Sequence, residues 1–168
     1  MNEILRLAME QARKTMNENI GGPFGAAVIA ANGEILAVTS NSVLRDNDPT
    51  AHAEVNAIRA ACKKVGSYDL SGCVLYTTAY PCPMCLSAII WANIKKVYFG
   101  CRPEDAEHIG FRDDFMYRFI GITKTKYSKP CWSVGACVTK VLNTCSSGFC
   151  KYCATLLASM PSVTSYSC

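Results

Sequence analysis

Over residues 3–18, Ile4, Leu5, Ala8, Met9, Ala12 and Met16 share one helical stripe, with charged residues opposite. Gly21-Gly22-Pro23 ends that stretch. Phe24 to Ala31 is apolar enough for a strand, Asn32-Gly33 signals a tight hairpin, and Glu34 to Thr39 returns as its partner. Asn41 to Asp46 reads as a loop. Asp48-Pro49 reads as an N-cap followed by proline at the first helical position. That predicts a helix with His52 and Glu54 in its first turn, running through Val55, Ile58, Arg59 and Cys62 to a stop near Gly66. A strand over 73–78, a helix over 83–92 and a strand over 96–100 follow. Residues 104–120 read as helical or irregular, with Ile109, Phe111, Phe115, Tyr117 and Phe119 apolar, and a late strand falls around Ser133 to Val141. Strands alternating with helices predict an α/β fold, and the hairpin makes its sheet mixed.

Length and charge narrow this picture. At 168 residues the chain reads as a single domain with room for a substantial core. No apolar run approaches a membrane span, and the N-terminus lacks a signal-peptide layout, so a cytoplasmic location is expected. The eleven cysteines are then expected as reduced thiols. The net charge of +4 is uneven: 13 acidic and 11 basic residues lie up to Asp114, and six basic residues with no acid lie beyond it. Those six are scattered rather than clustered, which argues against nucleic acid as a partner.

The chemistry sits in two short stretches. Thr50-Ala51-His52-Ala53-Glu54 is answered about thirty residues later by Pro81-Cys82-Pro83-Met84-Cys85. His52, Cys82 and Cys85 are a ligand set that suits zinc. Three protein ligands, rather than four, leave a position open for water, as catalytic zinc sites do. Glu54 remains as a carboxylate beside the metal. Alone, the Cys-x-x-Cys pair would serve equally as a redox pair or a structural zinc knuckle. With His-x-Glu at a helix start and proline before the first cysteine, the set resembles the signature of zinc nucleobase deaminases, in which the glutamate is the general acid/base.

With these residues in place, the chain resembles the cytidine deaminase-like zinc superfamily, and within it the bacterial guanine deaminases. The resemblance covers about residues 3–120. It is carried by Gly21 to Ala26, Asn47 to Glu54, Pro81 to Cys85, Trp91-Ala92 and Gly110-Phe111. It implies a three-layer α/β/α sandwich with a central mixed sheet, one catalytic zinc per chain, and a homodimer. The implied reaction is hydrolytic deamination of guanine to xanthine and ammonia. His52, Cys82 and Cys85 would hold zinc, Glu54 would shuttle protons, and Asp113 would be a second proton-handling residue, with Asp114 its local competitor. Asn41, Phe24, Ala53 and Trp91 would contact the base. Each of these has a plainer role open to it: Asn41 as a loop cap, Phe24 and Trp91 as core, Asp113 as a helix cap.

The resemblance fades over 121–168, a cysteine- and serine-rich segment without the family's pocket-closing pattern. Cys145, Cys150 and Cys153 there are a weaker candidate for a second metal, because no histidine or well-spaced fourth ligand accompanies them. His108 reads as a surface or loop residue, and Cys62, Cys73 and Cys101 as small core residues. Two rivals stay open. One is a deaminase of another substrate, such as tRNA adenosine, cytosine or a nucleoside. The other is a zinc module that binds a partner without catalysis.

Overall fold

A computed structural model of the chain describes residues 3–102, 106, 111, 113–120 and 140–143, with backbone alone at 113–115 and 140–143. The described elements run α1 (Glu3–Asn17), β1 (Gly25–Ile29), β2 (Ile35–Ser40), α2 (Val43–Asp46), α3 (Ala53–Val65), β3 (Val74–Ala79), α4 (Pro83–Trp91), β4 (Lys96–Cys101), α5 (Asp113–Phe119) and β5 (Lys140–Asn143). Five strands form one sheet in the order β2-β1-β3-β4-β5. β1 is antiparallel to both β2 and β3, whereas β3–β4 and β4–β5 are parallel. The mixed α/β sheet is the expected one.

Strand β1 is buried on both faces and built almost wholly of small residues, Gly25-Ala26-Ala27-Val28-Ile29. On one face, Ala26, Val28, Ala37, Leu75 and Val97 pack against Ala53, Ala57 and Ala61 of α3 and Ile89 of α4. On the other face lies α1, through buried Leu5, Ala8, Met9 and Ala12. That helix approaches so closely that a Cβ on Gly25 would stand 2.0 Å from the Ala8 carbonyl oxygen. Glycine at 25 is therefore a condition of the layer spacing. Thr15, outside the predicted stripe, is buried too, its hydroxyl bonded to the carbonyls of Gln11 and Ala12. The β1–β2 turn places Gly33 at φ 87, with a register shift between Val28 and Ile29. This is a glycine turn with a bulge rather than a plain two-residue hairpin.

Two local readings are corrected. Asp48 does not cap α3. Its carboxylate is taken by the N–H and hydroxyl of Thr50, closing an Asx turn, and the helix begins only at Ala53. His52 is thus the N-cap, with extended backbone, and Glu54 alone of the pair lies in the first turn. Asn41 to Asp46, read as a loop, contains α2. The stop at Gly66 stands: its φ is 69, and its N–H bonds the Cys62 carbonyl. Cys62, Cys73, Cys82 and Cys85 are free thiols, as expected, whereas buried Cys101 is disulfide-bonded. His108 and most of 121–168, with Cys145, Cys150 and Cys153, lie outside the described residues. Among the described residues, no helix is long and apolar enough to cross a membrane.

Candidate active site

The site assembles where two helices begin. α3 starts beside the antiparallel hairpin, and α4 starts just after the carboxyl end of β3, where open α/β sheets place their ligands. His52 and Cys82 are the N-cap residues of these helices, both with extended backbone, and Pro83 sits in the first turn of α4. One turn of α4 carries Cys85 back to the same point. His52 Nδ1 stands 3.7 Å from Cys82 Sγ and 3.6 Å from Cys85 Sγ. The three ligand atoms all lie within 4.8 Å of one another.

These separations fit zinc. Bonds of about 2.0–2.1 Å to nitrogen and 2.3 Å to sulfur, set at tetrahedral angles, place the two donor atoms about 3.6 Å apart. The two cysteines are buried and His52 is partly buried. The hydrogen bond between the sulfurs pushes the Cys82 thiol down and the Cys85 thiol up. His52 also favours the Cys82 thiolate. A divalent cation at the same point favours both thiolates.

Glu54 is 6 % exposed and is not one of the three grouped ligands. Its Oε1 accepts the Thr77 hydroxyl at 3.0 Å, and its Oε2 lies 3.5 Å from Cys85 Sγ. Burial raises its pKa first, the negative charge on Cys82 second; His52 and the Thr77 bond oppose them. A buried carboxyl beside the ligand group is placed to serve as both proton acceptor and proton donor. Thr77 belongs to none of the sequence motifs, yet it holds the glutamate. Its position two residues after buried Leu75, on the same face of β3, is the only sequence signal that it faces α3.

Asn41 and Phe24 come together in a second cluster. The Asn41 N–H donates to the Phe24 carbonyl, and its Oδ1 accepts the N–H groups of Gly22 and Val43 at 3.2 and 3.1 Å. Two donors on the oxygen fix which way the amide points. Phe24 packs edge-to-face on Phe111 at 4.7 Å between ring centroids. Ala53, fully buried, opens α3 and accepts the Thr39 hydroxyl on its carbonyl. In α5, buried Tyr117 donates its hydroxyl to the Pro81 carbonyl, so that helix is held against the loop bearing Cys82. Asp113 opens α5, but its side chain lies outside those described. Trp91, at the end of α4, is 82 % exposed and joins neither cluster among the described residues.

Comparison with known proteins agrees with this geometry. Residues 1–101 match the cytidine and deoxycytidylate deaminase zinc-binding region. The guanine deaminase of Bacillus subtilis (strain 168) is 52 % identical over 116 residues, covering 69 % of this chain and 74 % of that protein. The X-ray structure of guanine deaminase from Bacillus subtilis superposes with a TM-score of 0.69 at 45 % identity, covering 80 % of this chain and 87 % of that one. The tRNA-specific adenosine deaminase of Aquifex aeolicus is 40 % identical over 106 residues, 63 % of this chain and 68 % of that protein. Ligand set, fold and sequence converge, and the chain belongs to the zinc-dependent cytidine and deoxycytidylate deaminase family.

Proposed function

We propose that this chain hydrolyses the exocyclic amine of a purine base, taking guanine and water to xanthine and ammonia. The observation that carries the reading is the buried Glu54 carboxylate beside a three-ligand His/Cys/Cys group. The 52 % identity to a guanine deaminase selects the base. His52, Cys82 and Cys85 would hold the zinc, which would supply the acidity that makes water a nucleophile near neutral pH.

The remaining work falls to side chains. Glu54 takes the proton from the attacking water and delivers it to a ring nitrogen beside C2, which makes that carbon electrophilic. The same carboxyl then takes the remaining proton from the hydroxyl added at C2 and passes it to the amine, so that the C2–N bond breaks, ammonia leaves and C2 becomes a carbonyl. The Thr77 hydroxyl holds Oε1 in place, leaving Oε2 as the proton-carrying oxygen. Asn41 reads the base through its Nδ2, whose direction is fixed because Oδ1 is committed to the backbone. Phe24 walls one side of the base, the first turn of α3 at Ala53 borders it, and Asp113 assists loss of ammonia.

The test is loss of guanine absorbance with stoichiometric ammonia release from zinc-loaded protein, with cytosine, adenine, guanosine and tRNA run in parallel. Guanine is expected to turn over fastest. Turnover of tRNA alone would move the substrate to adenosine, and absence of turnover by zinc-loaded protein would overturn the enzymatic reading.

The reading includes a homodimer. Ile90 and Trp91 of α4, and Met116, Phe119 and Ile120 in and after α5, are exposed apolar residues on two helices that touch each other. Exposed apolar residues gathered on neighbouring helices suit an association site. A second copy laid over α4 would turn Trp91 inward as a pocket wall. Sedimentation equilibrium is expected to give twice the chain mass, 18.3 kDa, and a Trp91→Glu variant to sediment as single chains. A monomeric parent protein would sink this part of the reading.

A further inference from the structure

The two clusters of the site are joined by one side chain. The Nδ2 of Asn56, in α3, lies 3.0 Å from the Ser40 carbonyl, 2.9 Å from Ser42 Oγ and 3.2 Å from the Ala51 carbonyl. Ser40 and Ser42 flank Asn41 on either side, and Ala51 immediately precedes His52. Two amide hydrogens serve three acceptors, so one is shared. The arrangement is consistent at each atom: the Ser42 hydroxyl donates to Asp46 Oδ2 and has its lone pair free for Asn56. The Ser42 N–H donates to the same Ala51 carbonyl. Asn56 is fixed in turn one helical turn beyond the metal ligand, its own N–H on the His52 carbonyl.

Space around Asn41 is equally determined. A Cβ on Gly21 would lie 2.3 Å from the Asn41 carbonyl oxygen and 2.4 Å from its Oδ1. Asn41 is 7 % exposed. It therefore sits in a cradle whose one wall is the bare backbone of Gly21–Gly22 and whose other wall is tied by Asn56 to the helix that carries His52 and Glu54.

We infer that Asn56 is a positioning residue for the deamination reaction, setting where the Asn41 amide stands relative to the metal ligand. The inference rests on Asn41 as the residue that reads the base. Asn56 touches no reacting atom; it acts through residues 40–42 on one side and 51–52 on the other. A misplacement of about 1 Å between a binding group and the reacting centre costs up to about a hundredfold in rate.

The experiment uses the zinc-loaded full chain with Asn56→Ala, Asn56→Asp, Asn41→Ala and the Asn56→Ala/Asn41→Ala double variant. Zinc per chain should match the parent in all four. For Asn56→Ala, KM for guanine should rise about tenfold or more, with a smaller fall in kcat. Asn56→Asp, which keeps the volume but aims a carboxylate at two carbonyls, should be at least as impaired. In the Asn41→Ala background, adding Asn56→Ala should change KM little, because the group being positioned is gone. Parental kinetics for Asn56→Ala would overturn the inference. So would fully multiplicative effects in the double variant, or Asn56→Asp behaving as the parent, which would make the residue a space-filler.

A readout independent of turnover accompanies these. Amide hydrogen exchange at Asn41 and Ser42 should accelerate in Asn56→Ala, while exchange in β1 and β3 stays parental. Unchanged exchange there would overturn the inference whatever the substrate. Failure of the parent chain to use guanine, with faster exchange in the variant, would sink the guanine reading alone, and the kinetic cycle would then be run on the heterocycle the chain does use.

Discussion

Glu54→Gln is expected to bind zinc as the parent does and to deaminate guanine about 10²- to 10⁴-fold more slowly. The substitution is nearly isosteric in a site with little room, since Glu54 is buried. A glutamine Oε1 still accepts the Thr77 hydroxyl, so the side chain keeps its place. What changes is the other terminal atom: an amide nitrogen replaces Oε2 and can neither take a proton from water nor return one to a leaving amine. Zinc stays because the glutamate is not one of the three ligands. Metal content by mass spectrometry and single-turnover kinetics would read the two effects separately. Parental turnover would refute the assigned proton transfers, and loss of zinc would make Glu54 a ligand instead.

The second large effect is expected at Cys85. Cys85→Ala should lower zinc affinity by more than about a hundredfold, beyond the cost of losing a residue that merely supports a ligand. The Cys85 sulfur is completely buried and stands 3.6 Å from His52 Nδ1. Its removal leaves one sulfur and one imidazole, too few to hold the metal against a chelator. Because metal bound to the native state adds stability by mass action, parent protein should melt higher with zinc than after chelation, and the variant should show little difference. A variant that retained one zinc per chain through dialysis against chelator would mean that another residue completes the site.

What could be read from the sequence was whatever a residue type and a short spacing determine together. The hairpin at Asn32-Gly33, the helix stop at Gly66 and proline in the first turn of α4 are of this kind, because backbone geometry forces the residue choice. The metal ligands were equally legible, since three soft donors at such spacings serve few other purposes. Asp48 misled, because an aspartate before proline caps a helix or closes a turn with the same local sequence. The Thr50 hydroxyl, two residues on, decided for the turn. Asn56 has no spacing signal, and Thr77 has only the two-residue alternation along β3, which marks a face and not a partner. Their roles arise only once β3 and the 40–42 segment are laid against α3, and such contacts leave no periodic trace.

The sequence separation of thirty between His52 and Cys82 also sets when the metal site can exist. In an unfolded chain only Cys82 and Cys85 are near neighbours, and a two-sulfur pair is a weak and unselective grip. The imidazole arrives after β1 has paired with β3 across a long stretch of chain, a slow contact to close. The complete three-ligand grip therefore exists only where the sheet has formed, so that zinc occupancy reports on the assembled sheet.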